Sequence, residues 1–527
     1  MGFSRQPPRE YETVKPSSSF DRSTDRQEDA SSEWQSSRHI FNDEDLNETS
    51  NAIDETGRDE RSLDEIGEAV TGESVFNRRT TQPQQQGLRR GHVFTYVSLL
   101  LFTLVLLIRP YDWYPNALTE SLAYYLGVLT LGVFAVTQFS REGNFTARPR
   151  EVYFVLALFV AAILSIPFAD QDRRYAFDTF MDMFARAVLI FIILVNVVRT
   201  ERRLRQMLWL SLAVGVFMAG NAVHNYATGN VEFEGYRVGG AIQGMLGNPN
   251  DLSQFLVAMV SIAVTLLCVS RGIARKIFYA VCILVLVAGI VVTFSRGGSL
   301  ALAAVFFLLM WKLGKRHRLF FISVALGLYM VFLAAAPGEY RTRLLSIFNN
   351  DLEVAEGSAD ARRGLLMESV KVALRHPLLG IGMGNFRVIY KFQTHNSYTQ
   401  VASEMGMFGF LAYLLFIITP IRRLREIEHA TDGDPQQRRY YFMAIGLQAL
   451  LVGYMVSSFF GAIAYYFHIY YFVGYAVSFR LIYYNLQGIP VEANGLPQTL
   501  EEEANTRDKR FGKRRLNAAS ELSAEAK

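Results

Sequence analysis

His395 stands in the run Thr394-His395-Asn396-Ser397-Tyr398-Thr399-Gln400-Val401-Ala402-Ser403-Glu404-Met405-Gly406, part of a polar interruption (337–406) in an otherwise apolar sequence. Imidazole titrates near neutrality, so it can take the proton of a hydroxyl while that hydroxyl attacks. Asn396, Gln400 and Glu404 recur every four residues and would share one helical face. His395 and Glu404 are nine residues apart and so about half a turn out of phase, which leaves Glu404 without an obvious in-helix role as partner to the ring. A lone loop histidine also reads simply as a solvated polar group. What separates this one is its place at the start of an unusually polar helix.

Two arginines add a second kind of chemistry. Arg237 lies in Tyr236-Arg237-Val238-Gly239-Gly240, a loop that ends at Gly247-Asn248-Pro249-Asn250-Asp251. Asn248 suits the cap of the helix that follows and Pro249 its first turn. Ser295-Arg296-Gly297-Gly298 repeats the pattern farther along. A glycine-bearing loop and a helix N-terminus offer backbone donors, and the planar guanidinium offers a fixed fork. Together they suit a phosphate or diphosphate. Either arginine alone reads equally as a side chain snorkelling to a membrane interface.

Metal chemistry finds little support. His224, His376, His395 and His468 are scattered, and Asp170-Gln171-Asp172 reads as solvated charge. Cys268 and Cys282 both fall in apolar runs and read as packing residues, not as a disulfide framework. No metal or other cofactor is expected.

The elements that must position these groups are membrane spans. Half of the 527 residues are hydrophobic and only 19% are charged. Apolar runs of the roughly 17–25 residues needed to cross a bilayer recur from Val93 to Tyr484, without the two-residue alternation of a membrane β-barrel. The fold class expected is all-α, a polytopic bundle of about twelve transmembrane helices. Their approximate limits are 92–108, 118–139, 152–168, 179–198, 204–226, 252–270, 277–294, 299–313, 319–336, 407–421, 440–460 and 463–485. The fourth is unusual in holding Asp182 and Arg186.

Alternate loops (140–150, 199–203, 271–276, 312–318 and 422–439) carry Lys/Arg clusters such as Arg199/Arg202/Arg203. The positive-inside rule then puts both tails in the cytoplasm, and Arg237, Arg296 and the 337–406 loop outside. Residues 1–88 hold 19 Asp and Glu against 10 Lys and Arg and read as a disordered acidic tail. No apolar core followed by a cleavage site lies near Met1, so the first span is expected to be an uncleaved anchor. Residues 89–486 form the membrane domain and 487–527 a basic disordered tail, attracted to anionic lipid head groups. The net charge of +4 hides this asymmetry and gives no reason to expect nucleic acid as a partner. Within the outer loop, Ser358 to Arg375 reads as an amphipathic helix on the bilayer face, ended by His376-Pro377, with Gly380 to Phe386 as a flexible turn.

In this order and topology the motifs resemble those of the O-antigen ligase and O-antigen polymerase superfamily of bacterial membrane glycosyltransferases. The resemblance covers roughly residues 93–485. It rests on Gly247-Asn248-Pro249-Asn250-Asp251, Thr293-Phe294-Ser295-Arg296-Gly297-Gly298, the run from His376 to Phe386, and His395-Asn396, Gln400, Glu404, Gly406 and Gly409. It implies a GT-C-like, metal-independent enzyme of the bacterial inner membrane. Such an enzyme passes a glycan from undecaprenyl diphosphate to a hydroxyl at the periplasmic face. The acceptor would be lipid A core, another lipid-linked glycan or a protein side chain.

By motif, Arg237 and Arg296 correspond to the arginines that hold the diphosphate, and His395 to the base. Asn248, Asn250, Ser295, Gly297, Asn396, Gln400 and Glu404 are the accompanying candidates for substrate binding. The acidic tail departs from the usual family pattern and leaves regulation, or contact with polysaccharide-assembly proteins through the tails, open. Two other readings stand beside this one: a transporter of a small anion such as bicarbonate or of a lipid-linked sugar, and a non-catalytic scaffold. Candidate residues at span ends, with no internal repeat, favour transfer over transport.

Overall fold

The computed structural model describes residues 92–142, 146–231, 233, 236–241, 246–314 and 358–489. The chain divides into two units, Met1–Arg79 and Thr80–Lys527, and every described residue belongs to the second. The expected ninth span (319–336), the first part of the polar loop and most of both tails lie outside the described residues.

In chain order the described helices are α1 (Val93–Ile108), α2 (Pro110–Trp113), α3 (Ala117–Glu142), α4 (Arg150–Ser165), α5 (Arg173–Thr179), α6 (Ala185–Val197), α7 (Glu201–Ala227), α8 (Pro249–Val269), α9 (Ile273–Val292), α10 (Arg296–Leu313), α11 (Ser358–Arg375), α12 (Asn385–Tyr390), α13 (Ser397–Thr431), α14 (Arg438–Ser457) and α15 (Phe467–Leu486). Ten helices among the described residues are long and apolar enough to cross a membrane. The expected span at 463–485 coincides with the 20-residue helix α15, which is not one of those ten. Among these residues the one β pairing is an isolated bridge between Phe233 and Arg237.

Buried ion pairs join helices that are distant in sequence. Arg480 of α15 forms a bidentate ion pair with Glu151 of α4, both contacts at 2.8 Å and both side chains buried. Lys312 of α10 meets Glu428 of α13, which also accepts from Gln448 of α14. Removing one partner of such a buried pair costs about 3–5 kcal/mol because the other charge is stranded. These pairs therefore fix the register of α4, α10, α13, α14 and α15. α8 packs on α14, α9 and α10, while α13 packs on α4 and α14.

Two spans depart from regular helix. The expected fourth span runs from Arg173 to Val197 but contains a single π-helical turn, Phe180–Phe184. Asp182 of that turn and Arg186 of α6 face each other at 2.8 Å and are both exposed. The expected tenth span, 407–421, is part of the 35-residue α13, which is broken at Gly406 (φ 71°, ψ −174°). A break frees backbone groups that a helix would have paired. Here they are taken up by the preceding loop: Ile381 N–H donates to Ser403 O at 2.9 Å, Gly382 N–H to Glu404 O at 3.1 Å, and Met407 N–H to Pro377 O at 2.7 Å.

The run Gly380–Phe386 is therefore not the flexible turn its glycines suggest. Its backbone is wedged into the break of α13 so closely that a Cβ on Gly380 would stand 2.3 Å from the Glu404 carbonyl carbon. Asn385 fastens the far side, accepting from Asp172 N–H at 3.0 Å and donating to Asp172 O at 3.1 Å. The amphipathic α11 forms over the expected range and packs on α13. Val372 of α11 joins Ile381 and Phe386 in a small separate core. Leu366, Met367, Val370 and Leu374 of α11 remain exposed.

Candidate active site

The polar site is assembled where the N-termini of α8, α10 and α13 meet the turn 458–466 between α14 and α15. Three capping side chains set those N-termini. Asn248 accepts from Asn250 N–H at 2.8 Å, Ser295 from Gly298 N–H at 3.2 Å, and Asn396 from Tyr398 and Thr399 N–H at 2.9 and 3.0 Å. Each cap satisfies amides that would otherwise be orphaned and aims a helix N-terminus, with its partial positive charge, at the site.

Arg237 reaches the site from the loop after α7 and is buried. Its Nε donates to the carbonyl of Thr293 at 2.9 Å and its Nη2 to Oδ1 of Asn250 at 2.8 Å. The first contact joins it to the α9–α10 turn three residues before Arg296; the second braces it against α8. Asn250 thus holds Arg237 in orientation, and Asn248 and Ser295 shape backbone. Arg296 opens α10 and is half-buried. Next to it Gly297 is packed so tightly that a Cβ there would come within 2.6 Å of Phe460. The absent side chain is what lets α10 touch the 458–466 turn.

The His395 segment meets the same turn from the other direction. Ser397 N–H donates to Ser458 O at 2.8 Å, Ser397 Oγ to Gly461 O at 2.7 Å, and Asn396 Nδ2 to Phe459 O at 3.3 Å. Phe459 and Phe460 are adjacent, so the turn touches both the α10 N-terminus and the residue after His395. His395 itself has a left-handed backbone (φ 52°) and a half-buried ring. Burial, and then the positive charge of Arg362 on α11, lower its pKa to about 4. The ring is accordingly neutral at ordinary pH, with a free lone pair.

Gln400 and Glu404 differ in what they have available. Gln400 Oε1 is buried with no hydrogen-bond partner among the described residues, which leaves an acceptor open beside the site. Glu404 is buried and engaged: Tyr465 donates to its Oε2 at 2.6 Å, and the backbone N–H groups of Gly384 and Phe386 also bond to it. Its carboxylate secures the wedged loop to α13.

Several neighbours were not singled out from the sequence. Tyr466 accepts a hydrogen bond from Gln393, two residues before His395, and lies in the fields of Asp251 and Arg387. Burial, reinforced by Asp251, pushes its hydroxyl well above the usual range. Tyr466 belongs to an aromatic run, Tyr465-Tyr466-Phe467, that looks like any packed span. Arg362, whose charge reaches His395, lies within the amphipathic helix expected at 358–375, and nothing in that pattern points to the imidazole.

The fold and this cluster define a multi-pass membrane protein with a cationic, histidine-bearing site at one end of its bundle. Residues 280–414 match the family model described as O-antigen ligase. The match bears out the resemblance to the O-antigen ligase and polymerase superfamily and with it a function of the glycan-transfer type. The matched stretch holds Arg296, the wedged loop, His395 and Glu404; Arg237 lies before it. No curated protein matches the chain. A transport function is not favoured by these findings.

Proposed function

We propose that this protein transfers a glycan from undecaprenyl diphosphate to a hydroxyl acceptor at the periplasmic face of the bacterial inner membrane, without a metal. The observation that carries the reading is the shared turn: the α10 N-terminus that Arg296 opens and the His395 segment both meet residues 459–461, and the Thr293 carbonyl that holds Arg237 lies three residues before Arg296.

Arg237 and Arg296 would hold the donor diphosphate. As the bond from the anomeric carbon to the diphosphate oxygen breaks, charge grows on that oxygen. Two fixed guanidinium groups and capped helix N-termini stabilise the growing charge more than the ground state. The neutral His395 ring takes the proton of the acceptor hydroxyl as its oxygen bonds to the anomeric carbon. Asn250 and Glu404 act through position, the first on Arg237 and the second on the loop beneath the His395 helix. Gln400 Oε1 is an acceptor suited to a sugar hydroxyl.

Deletion of the gene followed by gel analysis of lipopolysaccharide and secreted polysaccharide tests the reading. Accumulated lipid-linked chains mark a ligase and single repeat units a polymerase; an unchanged glycan profile refutes transfer. The orientation has its own test. A Ser358→Cys variant should react with an impermeant thiol reagent in intact spheroplasts and a Ser520→Cys variant should not. The opposite pattern would put the site on the wrong side.

A further inference from the structure

An open trough of about 820 Å³ runs between α1 and α7. Leu100, Leu101, Leu104 and Leu210 line its apolar part, and Glu201, Arg202, Arg205 and Gln206 its polar end. None of the candidate active-site residues takes part in it. The polar end lies where both spans begin, because the Tyr96 hydroxyl of α1 donates to Gln206 Oε1 at 2.8 Å, with Arg203 O at 3.2 Å. A span begins at the boundary between head groups and hydrocarbon. The trough therefore starts at head-group level and continues into the acyl region.

We infer that this trough binds an anionic phospholipid, with the phosphate at Arg202 and Arg205 and one acyl chain along the leucines. The inference is independent of the glycan-transfer reading, and three observations carry it. First, the arginines of this cluster divide between two tasks. Arg199 and Arg203 are buried, and Arg203 lies over the Tyr96 ring at 4.9 Å while its Nη1 donates to Val197 O at 2.9 Å. Arg202 and Arg205 are exposed and line the trough. Setting the orientation of a span needs only the charge count near its end. It does not require two cations to stand on one helix beside an apolar slot.

Second, the polar end is cationic. Glu201 is the one carboxylate lining it, and that carboxylate is engaged away from the trough: Tyr440 donates to its Oε1 at 2.7 Å and Arg439 stands 3.2 Å from the same oxygen. Arg205 is 3.9 Å from the other oxygen, at the limit of an ion pair. The charge left over suits a phosphate, which the guanidinium fork grips, and basic pockets between spans hold anionic head groups. A choline head group would bring its own cation towards these arginines. Third, the far wall is fixed. Trp209, also in the lining, donates from Nε1 to the Tyr279 hydroxyl at 2.9 Å and stacks on Phe278 with 5.5 Å between ring centroids. A slot whose wall is already ordered costs less to fill.

The test uses the full chain in phosphatidylcholine vesicles that contain a small share of either phosphatidylglycerol or phosphatidylcholine with a diazirine on its acyl chain. The cross-linked peptides are then mapped. Phosphatidylglycerol should label residues 100–104 and 206–210 about tenfold more than phosphatidylcholine does. The face of α9 that carries the exposed Leu284 should be labelled alike by both. Replacing both arginines, Arg202→Gln with Arg205→Gln, should remove the preference and leave labelling by phosphatidylcholine in place. Each single replacement should remove part of it, which keeps the test usable if the double variant fails to fold. Leu101→Trp, at an exposed position in the trough, should lower labelling by both lipids. Equal labelling by the two lipids, the same preference on α9, or a preference that survives the double replacement would overturn the proposal and leave ordinary boundary lipid. So would a trough that neither lipid labels, as when the acidic residues 1–88 cover it. Loss of the preference to inorganic phosphate, at an ionic strength where chloride has no effect, would assign the arginines to a free anion instead.

Discussion

Arg237 Nε donates to the carbonyl of Thr293 at 2.9 Å, so two residues 56 positions apart join the loop after α7 to the turn that presents Arg296. Two guanidinium groups brought to one helix end repel unless an anion joins them. Asn250 is the brace in this arrangement, through its 2.8 Å contact with Arg237 Nη2. Asn250→Ala should raise KM for the lipid diphosphate donor about tenfold, since a hydrogen bond to a charged group is worth about 1.5–3 kcal/mol. The kcat should change less. Unchanged KM in a steady-state assay would remove Asn250 from the site.

Arg296→Lys keeps a positive charge and gives up the planar fork. Its effect should separate a diphosphate clamp from an interfacial anchor, because an anchor needs only the charge. Transfer should fall by about tenfold or more in Arg296→Lys and by roughly 10²–10³-fold in Arg296→Ala, the scale seen when one donor to a developing oxyanion is lost. Wild-type kcat/KM in the lysine variant would argue for the anchor.

The parts of this site that were legible in the sequence are those governed by local rules. Asn248 before Pro249 announces a capped helix, and α8 begins there with the Asn248 side chain on Asn250 N–H. The 3.6-residue pattern of 358–375 gives α11 to the residue. What local rules could not supply is a pairing between distant segments. The glycines of 380–384 suggest freedom because their partner, the broken backbone at 403–407, lies where a polar helix passes into an expected span, and no spacing rule announces a break there. Tyr465 and Tyr466 look like packing aromatics, and only the fold turns one towards Glu404 and the other towards Gln393. Glu404 is a candidate for substrate contact by its place in the motif, and its spacing puts it on one helical face with Asn396 and Gln400. Spacing gives a face, and the neighbour on that face is a tertiary fact.

Gly406→Ala tests the wedge. Gly406 combines φ 71° with ψ −174°, a region essentially reserved for glycine. A Cβ there would also stand 2.3 Å from the Leu378 carbonyl oxygen. The backbone penalty alone is about 1–3 kcal/mol, and the collision with backbone leaves no side chain to swing aside. The variant should lose several degrees in Tm in detergent and should lose transfer as well, because the helix that follows His395 starts at Ser397, earlier on the same element. A Gly364→Ala control, at an exposed α11 site with open space around its Cα, should be neutral or slightly stabilising. Equal Tm for Gly406→Ala and wild type would show that the break is not needed.

His395 carries the clearest pH prediction. Its pKa is lowered from 6.5 to about 4, first by burial and then by Arg362. A base works in its neutral form, so activity is present above the folded pKa and lost as pH falls through it. The acid limb of kcat/KM, which reports the free enzyme, should therefore lie near pH 4, not near 6.5. Stability moves in the same direction. Between pH 6.5 and about 4 the unfolded chain binds a proton that the folded ring refuses, so acidification through that window destabilises the fold. The two effects are separated by running thermal melts beside the rate profile. His395→Asn is the informative variant, because asparagine tolerates the left-handed backbone at this position (φ 52°) while having no group that titrates. It should fold, bind the lipid diphosphate donor with unchanged affinity, and transfer roughly 10²–10⁴-fold more slowly, the usual scale for general base catalysis. Arg362→Gln should raise the His395 pKa and move the acid limb upward. Full activity in His395→Asn with the acid limb still in place would mean that another group titrates and that His395 only orients the acceptor.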